Sequence, residues 1–267
     1  MKNMNAETQK LIGKKDAPIG WMIFNHPERR NAVSSEMWEA IPNVLGAFDA
    51  DPEVRVVVMT GAGDKAFVSG ADISQFEDQR ANREANDRYS ERSALGTAAL
   101  ASLKKPSIAM IRGFCLGGGL AVALSCDLRI CADDARFGIP AARLGLGYGF
   151  DGVRRLVDIV GPAYTNEILF TARQFDAQEA LRMGLVNRVV AAAQLEDTVR
   201  GYARTIGENA PLTVRASKMA VREALKDPAR RKLEVLAAAV AACFDSADYA
   251  EGRRAFMEKR KPNFQGR

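Results

Sequence analysis

A turn of three consecutive glycines, Gly117–Gly119, is well suited to stabilise a developing negative charge. It follows an apolar run, Pro106–Ile111, that predicts a short buried strand, and it precedes small apolar residues, Leu120–Ser125, that predict the start of a helix. The first amides of a helix lack partners within the helix and lie at the positive end of its dipole. An oxygen that acquires negative charge is therefore stabilised there, and glycine leaves its approach open.

The same glycines also suit a purely structural turn, in which the missing side chains let a helix pack closely on a strand. The residues alone fit both interpretations, because a glycine cluster is a weak signal. A second segment of small residues, Ala66–Asp72, holds Gly70 beside Ala71 at the end of a strand-like run. The sequence therefore offers two places where backbone can come close to a ligand.

Metal chemistry is not expected from this sequence. The four cysteines lack the spacing of metal ligands, and the chain holds one histidine, His26. Free, mostly buried thiols are typical of a reducing compartment. We interpret His26, in the loop before the first predicted helix, as a residue without a catalytic role.

The elements that must position these segments begin as a βαβ unit. Gly20–Asn25 predicts a strand, and Ser34 or Ser35 caps a helix whose apolar spacing continues to Phe48. Val54–Thr60 is a nearly continuous β-branched run, which is typical of a strand covered on both faces. A strand, a helix and a second strand of this kind predict a parallel sheet.

Later parts of the chain change in character at about Val190. Before that point strands and helices alternate, and from Gln194 onward only helical patterns remain. This change predicts a core over residues 1–190 and a helical region over residues 191–267. A polar stretch, Gln75–Ser93, predicts either a surface segment or a partly ordered helix.

Charge and hydropathy exclude several classes of protein. Lys and Arg number 38 against 33 Asp and Glu, and this mild excess is spread along the chain, so an anionic small molecule is a better expected partner than nucleic acid. No uninterrupted apolar stretch approaches the ~20 residues needed to cross a bilayer. We therefore expect a cytoplasmic protein with no membrane partner.

The chain resembles the crotonase superfamily, the enoyl-CoA hydratase/isomerase proteins, over nearly its whole length. The matching segments are NHPERRNAVSSEM (Asn25–Met37), VRVVVMTGAGDKAFVSGADI (Val54–Ile73), KPSIAMIRGFCLGGGLAVALSCDLRI (Lys105–Ile130), ARFGIPAARLGLGYGF (Ala135–Phe150), ALRMGLVNRVV (Ala180–Val190) and EGRRAFMEKRKPNF (Glu251–Phe264). The resemblance implies an α/β fold, a ClpP/crotonase-like spiral of ββα units with a C-terminal helical trimerisation region. It also implies homotrimers or dimers of trimers.

The resemblance further implies an acyl-CoA site. In that family two backbone amides bind the thioester oxygen, and these amides fall on Ala71 and Gly118. Coenzyme A enters as part of the substrate, and no permanently bound cofactor is implied. The residues expected along the substrate's path are Arg29, Ala66, Gly70, Asp72, Ile73, Gly117, Ala121, Ala141, Tyr148 and Lys261.

Two positions depart from the pattern of the family's hydratases. Those enzymes carry one glutamate after the glycine turn and another after the FGxP segment, where this chain has Ala121 and Ala141. General acid/base catalysis contributes about 10²–10⁴-fold, so the usual route to hydration is not expected here. Other superfamily members recruit an aspartate from the region of Asp151. That residue is a candidate acid/base or nucleophile, and the alternative is an N-cap of the helix Gly152–Val160.

Three hypotheses of function follow. The first is an acyl-CoA enzyme that works through a thioester enolate, nominally an enoyl-CoA hydratase/isomerase with atypical acid/base residues. The second is a non-catalytic acyl-CoA carrier or sensor, because both glutamates are replaced. The third is a superfamily hydrolase, decarboxylase or isomerase that uses Asp151. A nucleophilic Cys115 is not expected, since no histidine of the matched motifs activates it.

Overall fold

Two β-sheets and a set of helices make up the computed structural model, which describes residues 3–4, 8–72 and 83–267, with side chains for 8–72 and 91–267. The strands of this part are β1 (Asn3–Met4), β2 (Leu11–Asp16), β3 (Ile19–Phe24), β4 (Val56–Gly61), β5 (Ala66–Val68), β6 (Ser107–Ile111), β7 (Phe114–Leu116), β8 (Leu128–Ala132), β9 (Arg136–Gly138), β10 (Phe175–Asp176) and β11 (Arg188–Val190). The α-helices are α1 (Ser35–Ala50), α2 (Arg83–Ser102), α3 (Gly118–Ser125), α4 (Phe150–Thr171), α5 (Ala177–Arg182), α6 (Leu195–Gly207), α7 (Pro211–Ala224), α8 (Leu233–Phe244) and α9 (Ala247–Met257).

The larger sheet has the strand order β1-β2-β3-β4-β6-β8-β11, and the smaller sheet has the order β10-β9-β7-β5. The predicted βαβ unit is confirmed, because β3 and β4 run parallel on either side of α1 in the chain, with Trp21 opposite Val58. Helix α1 begins where expected, since the Ser34 side chain accepts a hydrogen bond from the Met37 amide. Its apolar face is buried from Met37 to Phe48.

The larger sheet is covered on both faces, which explains the apolar run of β4. Val57 and Met59 belong to the main hydrophobic cluster beneath α1. Val56 and Val58 point to the other face, where they pack with Leu195 at the start of α6. Parallel strands buried on both sides carry apolar residues at every position, and β4 follows this rule.

The strand before the glycine turn differs from the predicted one. Residues 107–111 form β6 of the larger sheet, whereas the strand that enters the turn is the short β7 of the smaller sheet. The chain changes sheets at Gly113, which has φ +57° and lies so close to Lys65 that a Cβ atom would be 2.1 Å from its carbonyl oxygen. Three residues are too short a pattern to predict a strand.

Other elements also depart from the sequence pattern. Strand β2 was not predicted, because its LIGKKD sequence has few apolar residues and most of its side chains are only partly buried. Part of Gln75–Ser93 lies outside the described residues, and from Arg83 onward the chain is helical in α2. The predicted helix Gly152–Val160 continues to Thr171 in α4, which bends at Gly161 (φ +74°, ψ +170°). Among the described residues, no helix has the length and apolar character to span a membrane.

A buried ion pair attaches the C-terminal helices to the core. The Lys218 ammonium of α7 lies 2.6 Å from the Asp127 carboxylate and donates to the Lys105 carbonyl oxygen. The same Asp127 oxygen accepts hydrogen bonds from the amide and hydroxyl of Ser107. The Lys218 side chain is only 7% exposed, and burial lowers the pKa of its ammonium group. The charge on Asp127 therefore compensates a desolvated cation.

We expect Asp127→Asn to lower the free energy of unfolding by about 2 kcal/mol. Removing one partner of a buried ion pair costs about 3–5 kcal/mol, and the effect is smaller here because the Asp127 side chain is 33% exposed. Urea denaturation measures the change. The control is Glu196→Gln, which removes an exposed i,i+4 partner of Arg200 and should cost about 0.5 kcal/mol or less. Equal stability of the two variants would contradict a compensating role for Asp127.

Candidate functional site

Two backbone amides from different loops lie side by side between β5 and α3. Gly118 is the first residue of α3, and a Cβ atom there would lie 3.8 Å from the Ala71 nitrogen. Ala71 forms an isolated parallel bridge with Val33. The Val33 amide donates to the Gly70 carbonyl at 2.8 Å, and the Asp72 amide donates to the Val33 carbonyl at 3.2 Å. The Ala71 amide therefore points away from Val33. Within the described part of the chain, no backbone carbonyl accepts from the amide of Ala71 or Gly118.

The three glycines of the turn have different reasons to be glycine. Gly117 has φ +50° and ψ −115°, a conformation that side chains disfavour. A Cβ atom on Gly119 would lie 2.0 Å from the carbonyl oxygen of Val68, so that glycine permits close packing of α3 on β5. At Gly118 a Cβ atom would make only ordinary contacts. The structural interpretation therefore applies to two of the glycines, and Gly118 is the one at which a Cβ atom would fit without a clash.

The loop before α1 holds the Ala71 segment in place through a residue that sequence reasoning missed. Asn31 is fully buried with φ +57°, and its side-chain amide donates to the carbonyls of Ala62 and Ala66 at 2.9 and 2.8 Å. Its side-chain oxygen accepts from the His26 amide at 3.0 Å. These bonds tie the loops after β3 and β4 together. From the sequence, Asn31 is only a polar loop residue. No sequence pattern predicts its left-handed backbone conformation.

The cationic residues of the same loop lie beside the segment that carries Ala71. Arg29 is exposed, and its carbonyl accepts from the Ser69 hydroxyl at 3.4 Å. The Arg30 carbonyl accepts from the Ser69 amide at 3.1 Å, and its guanidinium lies 4.9 Å from the centre of the Phe114 ring. His26 points its Nε2 atom at Glu28, 3.2 Å away. The structure therefore brings Arg29 to the predicted substrate path.

The FGIPA segment joins the glycine turn directly. The Gly117 amide donates to the Gly138 carbonyl at 2.9 Å, which continues the pairing of β7 with β9. Ala141 follows in a 3₁₀ helix and is buried, and Ala121 is half-buried in the first turn of α3. A methyl group at these two positions neither orients a water nor transfers a proton. These two positions therefore supply no acid or base.

Asp151 is an exposed carboxylate in the first turn of α4. The N-cap of that helix is Gly149, and no side chain caps it, so the alternative role of Asp151 as an N-cap is wrong. Helix α4 begins at Phe150, two residues before the predicted start at Gly152, because the glycines at 149 and 152 suggest a loop. One turn further on, Arg155 hydrogen-bonds the Ser125 hydroxyl at the end of α3. Burial lowers the pKa of Arg155, and the negative charge of Asp151 opposes that shift.

Tyr148 lies between the FGIPA segment and α4. Its side chain is partly exposed, and a Cβ atom on Gly152 would lie 3.5 Å from its ring, so the ring packs over the start of α4. The nearby Arg143 is exposed in the 3₁₀ helix Pro140–Leu144. Tyr148 is thus brought to the same side of the molecule as Asp151, where it forms part of an exposed apolar loop.

Two of the predicted substrate-binding residues, Lys261 and Ala66, lie outside the site formed by the two amides. Lys261 is exposed in the C-terminal tail and lies 4.0 Å from Glu208. The tail is fixed at the amino end of β4, where Arg55 donates to the Phe264 carbonyl, whereas the loops around Ala71 lie at the opposite end. Ala66 is buried in the core with its carbonyl bonded to Asn31. Gly70 has φ +119°, Asp72 is buried, and Ile73 lies outside the described residues.

Cys115 lies two residues before the turn, and its surroundings disfavour nucleophilic chemistry. Its side chain is fully buried, and burial raises the pKa of the thiol well above its ordinary value. The thiolate is the reactive form of cysteine, so this group stays protonated. Among the described residues, no group of three His, Cys, Asp or Glu side chains is arranged to hold a metal ion.

Comparison with known proteins identifies the class. The fold is an α/β core of two sheets with paired Gly-rich loops at one end, followed by helices. Residues 14–267 match the model of the enoyl-CoA hydratase/isomerase family. The chain therefore belongs to the enoyl-CoA hydratase/isomerase family and is an enzyme of that type that acts on acyl-CoA.

Individual relatives and structures agree with this class. The chain is 37% identical to a short-chain-enoyl-CoA hydratase of Clostridium acetobutylicum, over 96% of this chain and 97% of the relative. It is 38% identical to a crotonyl-CoA hydratase of Syntrophomonas wolfei, over 96% and 98%. A crystal structure from Hyphomonas neptunium, a putative enoyl-CoA hydratase/isomerase family protein, superposes with a TM-score of 0.92 at 36% identity, covering 98% of this chain and all of that one. The expected crotonase-like fold is confirmed.

Proposed function

We propose that the protein converts an acyl-CoA through an enolate of the thioester, whose oxygen is bound by the amides of Ala71 and Gly118. One observation carries this proposal. The amides of Ala71 and Gly118 lie next to each other, and neither donates to a backbone carbonyl of the described residues. A thioester carbonyl gains negative charge when a proton leaves the neighbouring carbon. Two fixed N–H donors stabilise that charge, and one such donor is worth about 2.7–4 kcal/mol in other enzymes.

Proton transfer in this proposal is assigned to Asp151. Ala121 and Ala141 hold no carboxylate, so the pair of glutamates on which the family's hydratases rely is missing. Asp151 is exposed in the first turn of α4, and its charge acts on the neighbouring guanidinium of Arg155. As a carboxylate it accepts the proton that leaves the carbon beside the thioester, and it returns a proton at another position. This proposal favours isomerisation or a related enolate reaction over addition of water.

The coenzyme A portion is proposed to run along Arg29 and the Ser69–Ala71 part of the predicted path, because Ala66 itself is buried. An exposed guanidinium at Arg29 supports binding of a phosphate there. Lys261 belongs to the tail at the amino end of β4, away from the loops around Ala71, so its proposed contribution is to the site of a neighbouring copy of the chain. We also place the protein in the cytoplasm, which the four free cysteines support.

Assembly into trimers, or pairs of trimers, is proposed through the helical region over residues 191–267. Helix α8 is apolar along most of its length, yet none of its residues is buried. A cavity of about 670 Å³ between α7, α8 and α9 is lined by Val240, Phe244 and Phe256, two of which are more than half exposed. Exposed apolar surface of this extent is typical of an interface. A second copy of the chain is the proposed occupant.

We expect Phe244→Asp to break this assembly into monomers, because the variant places a charge in the apolar surface of α8. Phe244 is 61% exposed within one chain, so its loss should leave the fold intact. Light scattering after size-exclusion chromatography measures the mass. Leu95→Asp, at a position 62% exposed on α2, is the control and should keep the wild-type mass. A wild-type monomer, or an unchanged mass for Phe244→Asp, would contradict the proposal.

Mass spectrometry of the products from a panel of acyl-CoA thioesters tests the proposed reaction. Saturable conversion of at least one enoyl or acyl thioester is expected, and incorporation of deuterium from heavy water at the carbon next to the carbonyl would mark the enolate. Release of free acid or of carbon dioxide would instead identify a hydrolase or a decarboxylase. Tight acyl-CoA binding in calorimetry, with no product and no deuterium exchange, would identify a carrier or sensor and refute the proposal.

A further inference from the structure

A second cavity, of about 400 Å³, lies on the α6 face of the larger sheet. It opens at the carboxyl ends of β3, β4 and β6, where Asn25, Gly61 and Arg112 line it. We propose that this cavity binds a small amphipathic monoanion, an apolar body that carries one carboxylate or phosphate. The volume is within the range of small-molecule sites, at its lower end. This proposal does not depend on the reaction assigned above.

The inner wall of the cavity is apolar. Trp21, Ile23 and Met110 line it, and all three pack in the cluster of residues that joins the sheet to α6. Ile23 and Met110 are only partly buried, so part of their surface remains available for contact with a ligand. The Arg200 guanidinium lies over the Trp21 ring at 5.0 Å and closes one side. A flat apolar group fits such a wall better than a polar one.

The rim of the cavity is cationic beyond what its own carboxylates neutralise. Lys14, Arg112 and Arg200 line it together with one acidic residue, Glu196. Arg200 is paired, at 2.8 Å, with both Glu196 and Asp16. Lys14 and Arg112 form no ion pair with any described residue, and the three cations exceed the carboxylates of Glu196 and Asp16 by one positive charge.

In the described part of the chain, Arg112 is fixed at the rim by a single hydrogen bond to the protein. One terminal nitrogen of its guanidinium donates to the Ala192 carbonyl at 2.8 Å. Its Nε atom is buried and has no hydrogen-bond partner among the described residues. Helix α6 begins beside the cavity at Leu195, and its first turn already carries Glu196 and Asp197. The guanidinium of Arg112 and the ammonium of Lys14 are therefore the groups that favour one further negative charge.

The cavity borders the segment that leads to Ala71, since Ala66 and Phe67 line it, but its apolar wall lies on the other face of the larger sheet from the glycine turn. Residues behind the glycine turn, such as Leu120, pack in the main cluster on the opposite side of the larger sheet. A ligand on Trp21 therefore leaves the Ala71 and Gly118 amides free. Its volume is also too small for a whole coenzyme A, so the proposed ligand is a small acid in its own right.

Calorimetry with the wild-type chain tests the proposal, with benzoate and phenyl phosphate as probes. Benzamide is the control that lacks the charge, and inorganic phosphate is the control that lacks an apolar group. We expect saturable binding of at least one aromatic anion, and binding of both controls at least about 10-fold weaker. Arg112→Gln should weaken binding of the aromatic anion about 10-fold. Arg188→Gln removes an exposed arginine that stacks on Tyr202 outside the cavity, and should change nothing.

Fluorescence locates the bound probe. The chain has two tryptophans, so Trp38→Phe leaves Trp21 as the sole emitter. The aromatic anion should change the emission of that variant with the affinity found by calorimetry, and should leave the emission of Trp21→Phe unchanged. The proposal is overturned if no aromatic anion binds below 10 mM (about the weakest affinity of interest), if Arg112→Gln and Arg188→Gln bind alike, or if inorganic phosphate binds as well as phenyl phosphate.

Discussion

Gly118→Val is expected to abolish turnover of every acyl-CoA that the wild-type enzyme converts, with a loss of at least about 10³-fold in kcat/KM. A Cβ atom at this position would lie 3.8 Å from the Ala71 nitrogen and from the Gly70 carbonyl carbon, which is ordinary contact. The backbone can therefore stay where it is. We expect the two methyl groups beyond that atom, however, to fill the space in front of the two amides.

The size of this effect follows from the number of donors affected. Losing one donor of this kind costs about 10²–10³-fold in rate, and valine hinders the amides of Ala71 and Gly118 together. Product formation under saturating and limiting substrate gives kcat and kcat/KM separately. A loss confined to KM would mean that the side chain blocks only ground-state binding.

Two further glycine variants separate chemistry from folding. Gly46→Val in α1 makes the same change where nothing lies within 4 Å of the new Cβ atom, so normal turnover is expected. Gly119→Ala should instead lower Tm, because its Cβ atom would lie 2.0 Å from the Val68 carbonyl oxygen. Wild-type turnover by a folded Gly118→Val variant would refute the role of these amides.

Asp151→Asn is expected to lower kcat by about 10²–10⁴-fold, the usual contribution of a general acid or base. Asparagine keeps the size of the side chain and its ability to accept hydrogen bonds, but it cannot take up a proton at neutral pH. Because Asp151 is exposed and does not cap α4, the substitution should leave stability within about 0.5 kcal/mol of the wild type. Steady-state kinetics and thermal unfolding measure the two quantities.

Asp158 provides a matched control on the same helix. Asp158→Asn removes an equal charge from a partly exposed site, 4.0 Å from Arg154, and should leave kcat unchanged. The deuterium exchange assay distinguishes two kinds of loss. An Asp151→Asn variant that binds acyl-CoA but no longer exchanges the proton has lost its base. Equal rates for both variants and the wild type would exclude an essential carboxylate at position 151.

The local elements were well predicted because their causes are local. Ser34 caps α1 and the apolar stripe from Met37 to Phe48 is buried, as the spacing predicts. Strand β4 is covered on both faces, as its unbroken run of apolar residues indicates. Propensity, capping and periodicity act between neighbours in the chain, so a sequence read by itself contains them.

Contacts between distant segments were not predictable in the same way. The two-residue link from β6 to β7 moves the chain from one sheet to the other, and β7 is too short to leave a pattern. Asn31 looks like an ordinary loop residue, yet it joins the loops after β3 and β4 from a buried position. Such roles depend on which loops meet, which is decided by packing across the whole core.

For the candidate site, the sequence by itself determined the kinds of groups available. It supplied glycine and alanine where backbone must be approached, and alanine where the family's hydratases carry glutamate. The tertiary structure decided that Gly118 and Ala71 lie together, that Asp151 is free of a capping role, and that Lys261 lies at the far end of the sheet. Residue type is a property of one position, whereas proximity requires the register of strands in two sheets, and that register is set only when the core packs.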